Sequence, residues 1–156
     1  MLIRFIIGLQ TLTMSAALAA KDIALEETPP EVLETAISTA PGIDFTRVTV
    51  EEENGRRIFE FEGRGSSGEH IEIDVFEDGT LEEIEIEIGE SAIPAPVRAA
   101  LDRAEPGLVI AYVETSIRTD GIFVYEIEGK TAGGDAVSID IREDGAVLSR
   151  ERAAVS

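Results

Sequence analysis

Cysteine and tryptophan are missing from this 156-residue chain, and histidine occurs once. Without cysteine there is no disulfide framework, no thiol nucleophile and no thiolate metal site. A single histidine cannot build a multi-histidine metal centre. Basic residues are scarce: 13 Lys and Arg stand against 32 Asp and Glu, a net charge of −19. Such a surface repels a polyanionic backbone, which argues against nucleic acid as a partner. Aromatic residues make up 5% of the chain and hydrophobic residues 44%. The acidity alone would suit a disordered chain, but the apolar content supports a folded, mostly aliphatic core. The length allows one domain or two small ones.

The first residues differ from the rest. Arg4 is followed by the apolar run Phe5-Ile6-Ile7-Gly8-Leu9, which relaxes into Gln10-Thr11-Leu12-Thr13-Met14 and then Ser15-Ala16-Ala17-Leu18-Ala19-Ala20. A basic start, an apolar middle and small residues at Ala17 and Ala19 form the pattern of a secretory signal. A membrane anchor or a buried first helix is the competing reading. An anchor needs about 20 apolar residues, and Gln10, Thr11 and Thr13 interrupt this stretch. Cleavage is expected after Ala19, with the following bond as the alternative. Removing 19 of 156 residues would leave 137, and losing Arg4 would bring the charge to −20 (12 Lys and Arg against 32 Asp and Glu). No second apolar span follows, so the expectation is a periplasmic or secreted protein without a membrane span after cleavage, stable without disulfides.

Comparing the chain with itself gives an internal match at an offset of 66. Phe59-Glu60-Phe61-Glu62-Gly63-Arg64 lies over Tyr125-Glu126-Ile127-Glu128-Gly129-Lys130, and Ile71-Glu72-Ile73-Asp74 over Val137-Ser138-Ile139-Asp140. Glu77-Asp78-Gly79 lies over Glu143-Asp144-Gly145. Acidic hairpins resemble one another by composition, but ungapped agreement from 59 to 79, glycines included, favours duplication. Each half opens with a proline, Pro30 or Pro94, and a stripe at helical period: Val32, Leu33, Ala36, Ile37 and Ala40, then Val97, Ala100, Leu101 and Ala104. Pro-Gly ends each helix. Alternating β-branched and aromatic residues predict strands at Phe45–Glu52, Arg57–Gly63, His70–Phe76 and Leu81–Ile88. The second set is Val109–Arg118, Phe123–Lys130, Ala136–Arg142 and Ala146–Arg152. Asn54-Gly55, Asp78-Gly79, Asp120-Gly121 and Asp144-Gly145 mark hairpin turns. The expected fold is α+β: two tandem repeats, each one helix packed on an antiparallel meander of three to four strands. The boundaries are a signal at 1–19, a linker at 20–28, one unit at 29–90 and a second at 91–156. A unit of about 65 residues is marginal alone, so the two should pack side by side or by joining sheets.

The succession helix, Pro-Gly, strand, Asn-Gly or Asp-Gly, Phe/Tyr-Glu-Phe/Ile-Glu-Gly, Ile/Val-x-Ile-Asp and Glu-Asp-Gly resembles PepSY and PepSY-like domains. Phe59 and Tyr125 match the aromatic position of that pattern, Ile73-Asp74 and Ile139-Asp140 its third strand, and Gly79-Thr80-Leu81 and Gly145-Ala146-Val147 its last turn. The resemblance spans residues 29–152. It implies small exported modules, often in tandem, proposed to bind or inhibit peptidases. The family shares no active site, so it supplies no functional residue to carry over.

Catalytic chemistry finds little support. His70 aligns with Ala136, and a Ser66/Ser67–His70–Asp74 triad would place its serines in a Gly-rich loop with no strand-to-helix elbow. The simpler reading of His70 is an exposed residue opening a strand. The segment 63–68 lacks the Gly-Lys-Ser/Thr ending of a phosphate loop. Carboxylates are the abundant chemistry. With Phe59, Phe61, Ile71, Ile73, Val75, Ile84, Ile86 and Ile88 facing a helix, Glu60, Glu62, Glu72, Asp74, Glu83, Glu85 and Glu87 fall on the opposite face of the sheet. That face is either a solvated surface or an anionic docking site for a basic peptide or protein. Calcium is the weaker alternative, since no Asp-x-Asp-x-Asp-Gly run exists. In the second half Arg142, Arg150 and Arg152 appear, and one expectation places the Arg150–Arg152 strand against the acidic face of the first half. The reading is thus an exported, non-enzymatic binding module for a protein or peptide partner, a peptidase or another envelope protein among them. No catalytic residue, cofactor or metal ligand is assigned. A divalent-cation binder or a hydrolase is the alternative, though no catalytic pair stands out among the 32 carboxylates.

Overall fold

Pro29 and Pro30 set the chain at the start of helix α1 (Pro30–Thr39), where a missing N–H leaves no helical bond unmade. Pro94 and Pro96 do the same for α2 (Ala95–Ala104). The computed structural model describes residues 20–53 and 55–153. The expected signal at 1–19 and Asn54 of the first expected turn lie outside them. The described residues form nine strands, of which β2 to β9 follow the alternation read from the sequence: β1 (Lys21–Ile23), β2 (Asp44–Glu53), β3 (Arg56–Arg64), β4 (His70–Phe76), β5 (Leu81–Glu87), β6 (Val109–Arg118), β7 (Phe123–Lys130), β8 (Ala136–Arg142) and β9 (Val147–Ala153). Three hairpins turn on an Asp whose carboxylate accepts the N–H two residues on: Thr80 to Asp78, Ile122 to Asp120 and Ala146 to Asp144, at 2.9–3.0 Å.

All nine strands belong to one antiparallel sheet, ordered β1 to β9. This corrects the expectation of two tandem helix-plus-meander repeats. β5 pairs directly with β6, from Glu83 opposite Arg118 to Glu87 opposite Glu114, so no sheet boundary falls at residue 90. The physical reason is the edge. A meander ending at β5 would present a row of unpaired N–H and C=O groups, and β6 takes them up. The described residues are mostly β, with two short α-helices on one continuous sheet. β1, inside the segment expected as a linker, adds a strand beyond β2.

One face of the sheet carries the apolar side chains. Ile71, Ile86, Thr115, Tyr125 and Ile141 stand in register across five strands. α1 lies over β4, burying Val32 and Ala36 against Phe59, Phe61, Ile73 and Val75. α2 lies over β8, burying Val97, Ala100 and Leu101 against Ile127, Ile139 and Ile141. Thr35 Oγ1 donates to Gly79 O at 2.7 Å, pinning α1 to the β4–β5 turn. Bulges in β2 at Phe45/Arg47 and in β6 at Ile110/Tyr112 push the chain against Gly63 and Gly129. A Cβ at Gly63 would stand 2.5 Å from Ile43 Cγ2, and one at Gly129 2.5 Å from Val109 O.

Candidate functional site

Period-two alternation sends every second residue of β3 to β8 away from the helices. The pairing register then sets carboxylates directly opposite one another. Glu60 faces Asp74, which faces Glu83. Glu62 faces Glu72, which faces Glu85. Glu87 faces Glu114, then Glu126, then Asp140. All seven residues singled out from the sequence thus share one face. The second half extends that face with Glu114, Glu126, Glu128 and Asp140. Glu114 was missed, although the alternation Glu114-x-Ser116-x-Arg118 was there to signal it; what the sequence lacked was the β5–β6 pairing.

The expected solvated surface is not what the structure shows. Glu60 and Glu72 are each 4% exposed, Glu83 and Asp140 are also buried, and Asp74 and Glu85 are half-buried. Neighbouring long side chains on a continuous sheet crowd one another, and like charges opposed at this spacing destabilise the ladder. Cations reach only some of them. Arg47 donates to Glu62 Oε1 at 2.7 Å and to Asp22 Oδ1. Arg118 Nε donates to Glu83 Oε1 at 2.9 Å, and Ser116 Oγ donates to the same carboxylate. Ser149 Oγ donates to Asp140 Oδ2 at 2.6 Å. Asp74 Oδ1 is buried without a hydrogen-bond partner.

Burial, reinforced by neighbouring carboxylates, raises several of these groups. Glu60 is pushed up to about 8, by burial and then by Glu72, Glu51 and Glu62. Glu126 is pushed up to about 9, by burial and then by Asp140, Glu114 and Glu83. Asp74 and Glu85 are held well above the ordinary carboxylate range for the same reasons. Asp140 is raised by burial, against the Ser149 bond and the nearby Arg118.

Three clusters bring potential ligand atoms within 4.8 Å of one another: Glu62 with His70 and Glu72, Glu60 with Glu72 and Asp74, and Glu83 with Glu85 and Glu126. The sequence assigned no metal ligands because it was searched for a contiguous loop; these sets assemble across strands.

Two further expectations change. His70 stands at the strand start expected for it, but it is not exposed. It opens β4, is half-buried, and its Nε2 lies 3.3 Å from Glu62 Oε2. Ser66 and Ser67 stay exposed in the β3–β4 loop. Arg150 and Arg152 do not meet the acidic face. Arg150 pairs with Ile139 and Arg152 with Val137, which puts both on the helix side of the sheet, and both donate to Glu105 just past α2. β9 lies at the far edge, with three strands between it and β5, the nearest strand of the first half's face.

The fold is similar to those of several solved proteins from Bacteroides. A DUF2874 family protein from Bacteroides uniformis superposes with a TM-score of 0.65 at 13% identity, covering 80% of this chain and 88% of that one. A protein from Bacteroides eggerthii, provisionally described as periplasmic, gives 0.66 at 14% identity, with 80% and 88% covered. A BLIP-like protein from Bacteroides fragilis gives 0.62 at 12% identity, with 82% and 88% covered. At these identities the likeness is one of fold. No protein-family model matches the chain, and neither does any curated protein. The resemblance to PepSY-like domains therefore has no family match behind it, and the solved proteins that share the fold are described as DUF2874 and BLIP-like. Among the described residues no helix is long and apolar enough to cross a membrane.

Proposed function

We propose that this chain is an exported, non-enzymatic binding module whose acidic sheet face receives a basic segment of a protein or peptide partner. The observation that carries the reading is the ladder of directly opposed carboxylates from Glu60 to Asp140. Opposed like charges weaken a sheet, and a cationic segment laid across them relieves the repulsion as it binds. Glu62, Asp74, Glu85, Glu87 and Glu126 keep part of their surface open for that contact. Export is supported by the Arg4 start, the apolar run and Ala17/Ala19, and it agrees with the provisional periplasmic description of a protein sharing the fold. The non-enzymatic part is supported by the exposed, Gly-rich loop that holds Ser66 and Ser67, and by His70 lying against Glu62. A peptidase as the partner rests on the PepSY resemblance alone.

The test is a titration of the purified protein with a Lys/Arg-rich peptide and an Asp/Glu-rich peptide of equal length. Binding of the basic peptide alone, with affinity falling as salt rises, is the expected result. Glu62→Gln with Glu85→Gln should weaken it about tenfold, the loss of roughly 1.4 kcal/mol of charge pairing. Absence of binding at low salt, or equal binding of both peptides, would refute the reading.

A further inference from the structure

We propose that Glu60, Glu72 and Asp74 form a calcium site on the β3–β4 hairpin. The proposal does not rest on partner docking, since an ion can be held whether or not a basic segment binds.

The neighbouring cations are taken up by other carboxylates of the face. Arg47 and His70 approach Glu62, and Arg118 and Ser116 engage Glu83. Between those two carboxylates stand Glu60 and Asp74, opposite each other across the ladder. Glu60 is 4% exposed, and its carboxylate makes neither a hydrogen bond nor an ion pair among the described residues. Asp74 Oδ1 is buried with no hydrogen-bond partner. A buried carboxylate oxygen without a donor is costly and rare in native proteins, and it calls for a ligand or a proton. Glu72, also 4% exposed, closes the set from the neighbouring register position.

The geometry suits calcium. One oxygen from each of the three side chains lies within 4.8 Å of the others. Calcium–oxygen bonds of about 2.4 Å can span two ligand oxygens up to about 4.8 Å apart, so the three oxygens lie within the range that side-chain adjustment can close onto one ion. Magnesium demands bonds near 2.1 Å and a near-ideal octahedron, which three carboxylates on a rigid sheet meet less readily. Remaining coordination positions go to water on the open side. Three carboxylates from two strands resemble a weak extracellular module more than a dedicated loop, so a dissociation constant of about 0.1–1 mM is expected.

The experiment follows melting of the purified protein, first treated with EDTA and then titrated with CaCl₂, with MgCl₂, and with NaCl at matched ionic strength. Calcium should raise the melting temperature saturably, beyond both controls. Asp74→Asn and Glu60→Gln should each weaken the calcium response at least about tenfold. Without metal, both variants should melt at or above the wild type, because each replaces a buried carboxyl in a crowd of carboxyls by a neutral isostere; a lost response then reflects a lost ligand rather than a damaged fold. Glu151→Gln, on the same face but in β9, should keep the wild-type response. A calcium response no larger than that of magnesium or sodium would overturn the proposal, as would one that survives in both ligand variants.

Discussion

Gly63 and Gly129 sit where the bulged neighbouring strand presses closest, and neither has a positive φ to explain it. What each supplies is space: the nearest atom to a built Cβ is 2.5 Å away at both positions. At Gly63 that atom belongs to a side chain, Ile43, which can turn aside. At Gly129 it is the backbone oxygen of Val109, which can move only with its strand. Gly129→Ala should therefore destabilise more than Gly63→Ala, with losses of about 1–3 kcal/mol expected for overpacking. Thermal melts of the two variants check both the loss and the order. Equal melting temperatures, or no loss in either, would mean the bulges relax freely.

The joint between β5 and β6 makes one sheet of what the sequence divides at residue 90. Strand positions were readable because alternation and Asp-Gly turns are local signals; all eight strands read from the sequence have ends within one residue of those observed. The pleat was readable for the same reason, which is why Glu60, Glu62, Glu72, Asp74, Glu83, Glu85 and Glu87 were placed on the correct face. The pairing of β5 with β6 was not readable, because an edge strand carries no mark of its neighbour. The burial of Glu60 and Glu72 was hidden for a related reason: it comes from side chains on adjacent strands, and composition predicts a solvated carboxylate. β1, at three residues, is too short for alternation to register. Continuity of the sheet has a direct test. Both tyrosines, Tyr112 and Tyr125, lie in β6 and β7. Phe61→Ala in β3 removes a fully buried ring, a loss of about 3–5 kcal/mol. In a continuous sheet the tyrosine-reported midpoint should fall together with the far-ultraviolet midpoint. A tyrosine midpoint that stayed at the wild-type value would show that the halves unfold independently.

The balance of charge gives the whole molecule an unusual dependence on pH. Glu126 is raised to about 9 and Asp140 is raised with it. A carboxyl group whose folded value exceeds its unfolded value binds more protons in the folded state, so stability falls as pH rises between the two. For Glu126 that window runs from about 4.5 to about 9. The exposed Asp22, Asp78 and Asp144 are lowered instead, by Arg47, by Thr80 and by Arg142 respectively, and their contribution is lost only below the ordinary carboxylate range. With EDTA present, the melting temperature should be at least ~5 °C higher at pH 5 than at pH 9, and Glu126→Gln should narrow that gap by raising the pH 9 value. A melting temperature that climbed from pH 5 to pH 9 would contradict the burial of this face.

The sheet order from β1 to β9 also governs how the chain can assemble. Strands adjacent in the sheet are adjacent in the chain, so most hairpins close over short loops and can form early and independently. Two closures differ: β1 reaches β2 only across the whole of α1, and β5 reaches β6 only across the whole of α2. Between Glu87 and Val109 the chain must run through the whole of α2 before β6 can reach β5. Loop-closure entropy grows with the length of that excursion, which makes the β5–β6 pairing slower than the short hairpins on either side of it. Until it forms, a nascent or partly unfolded molecule carries two bare strand edges, and the carboxylates of β5 and β6 then act as kinetic guards, keeping one molecule's open edge from pairing with another's.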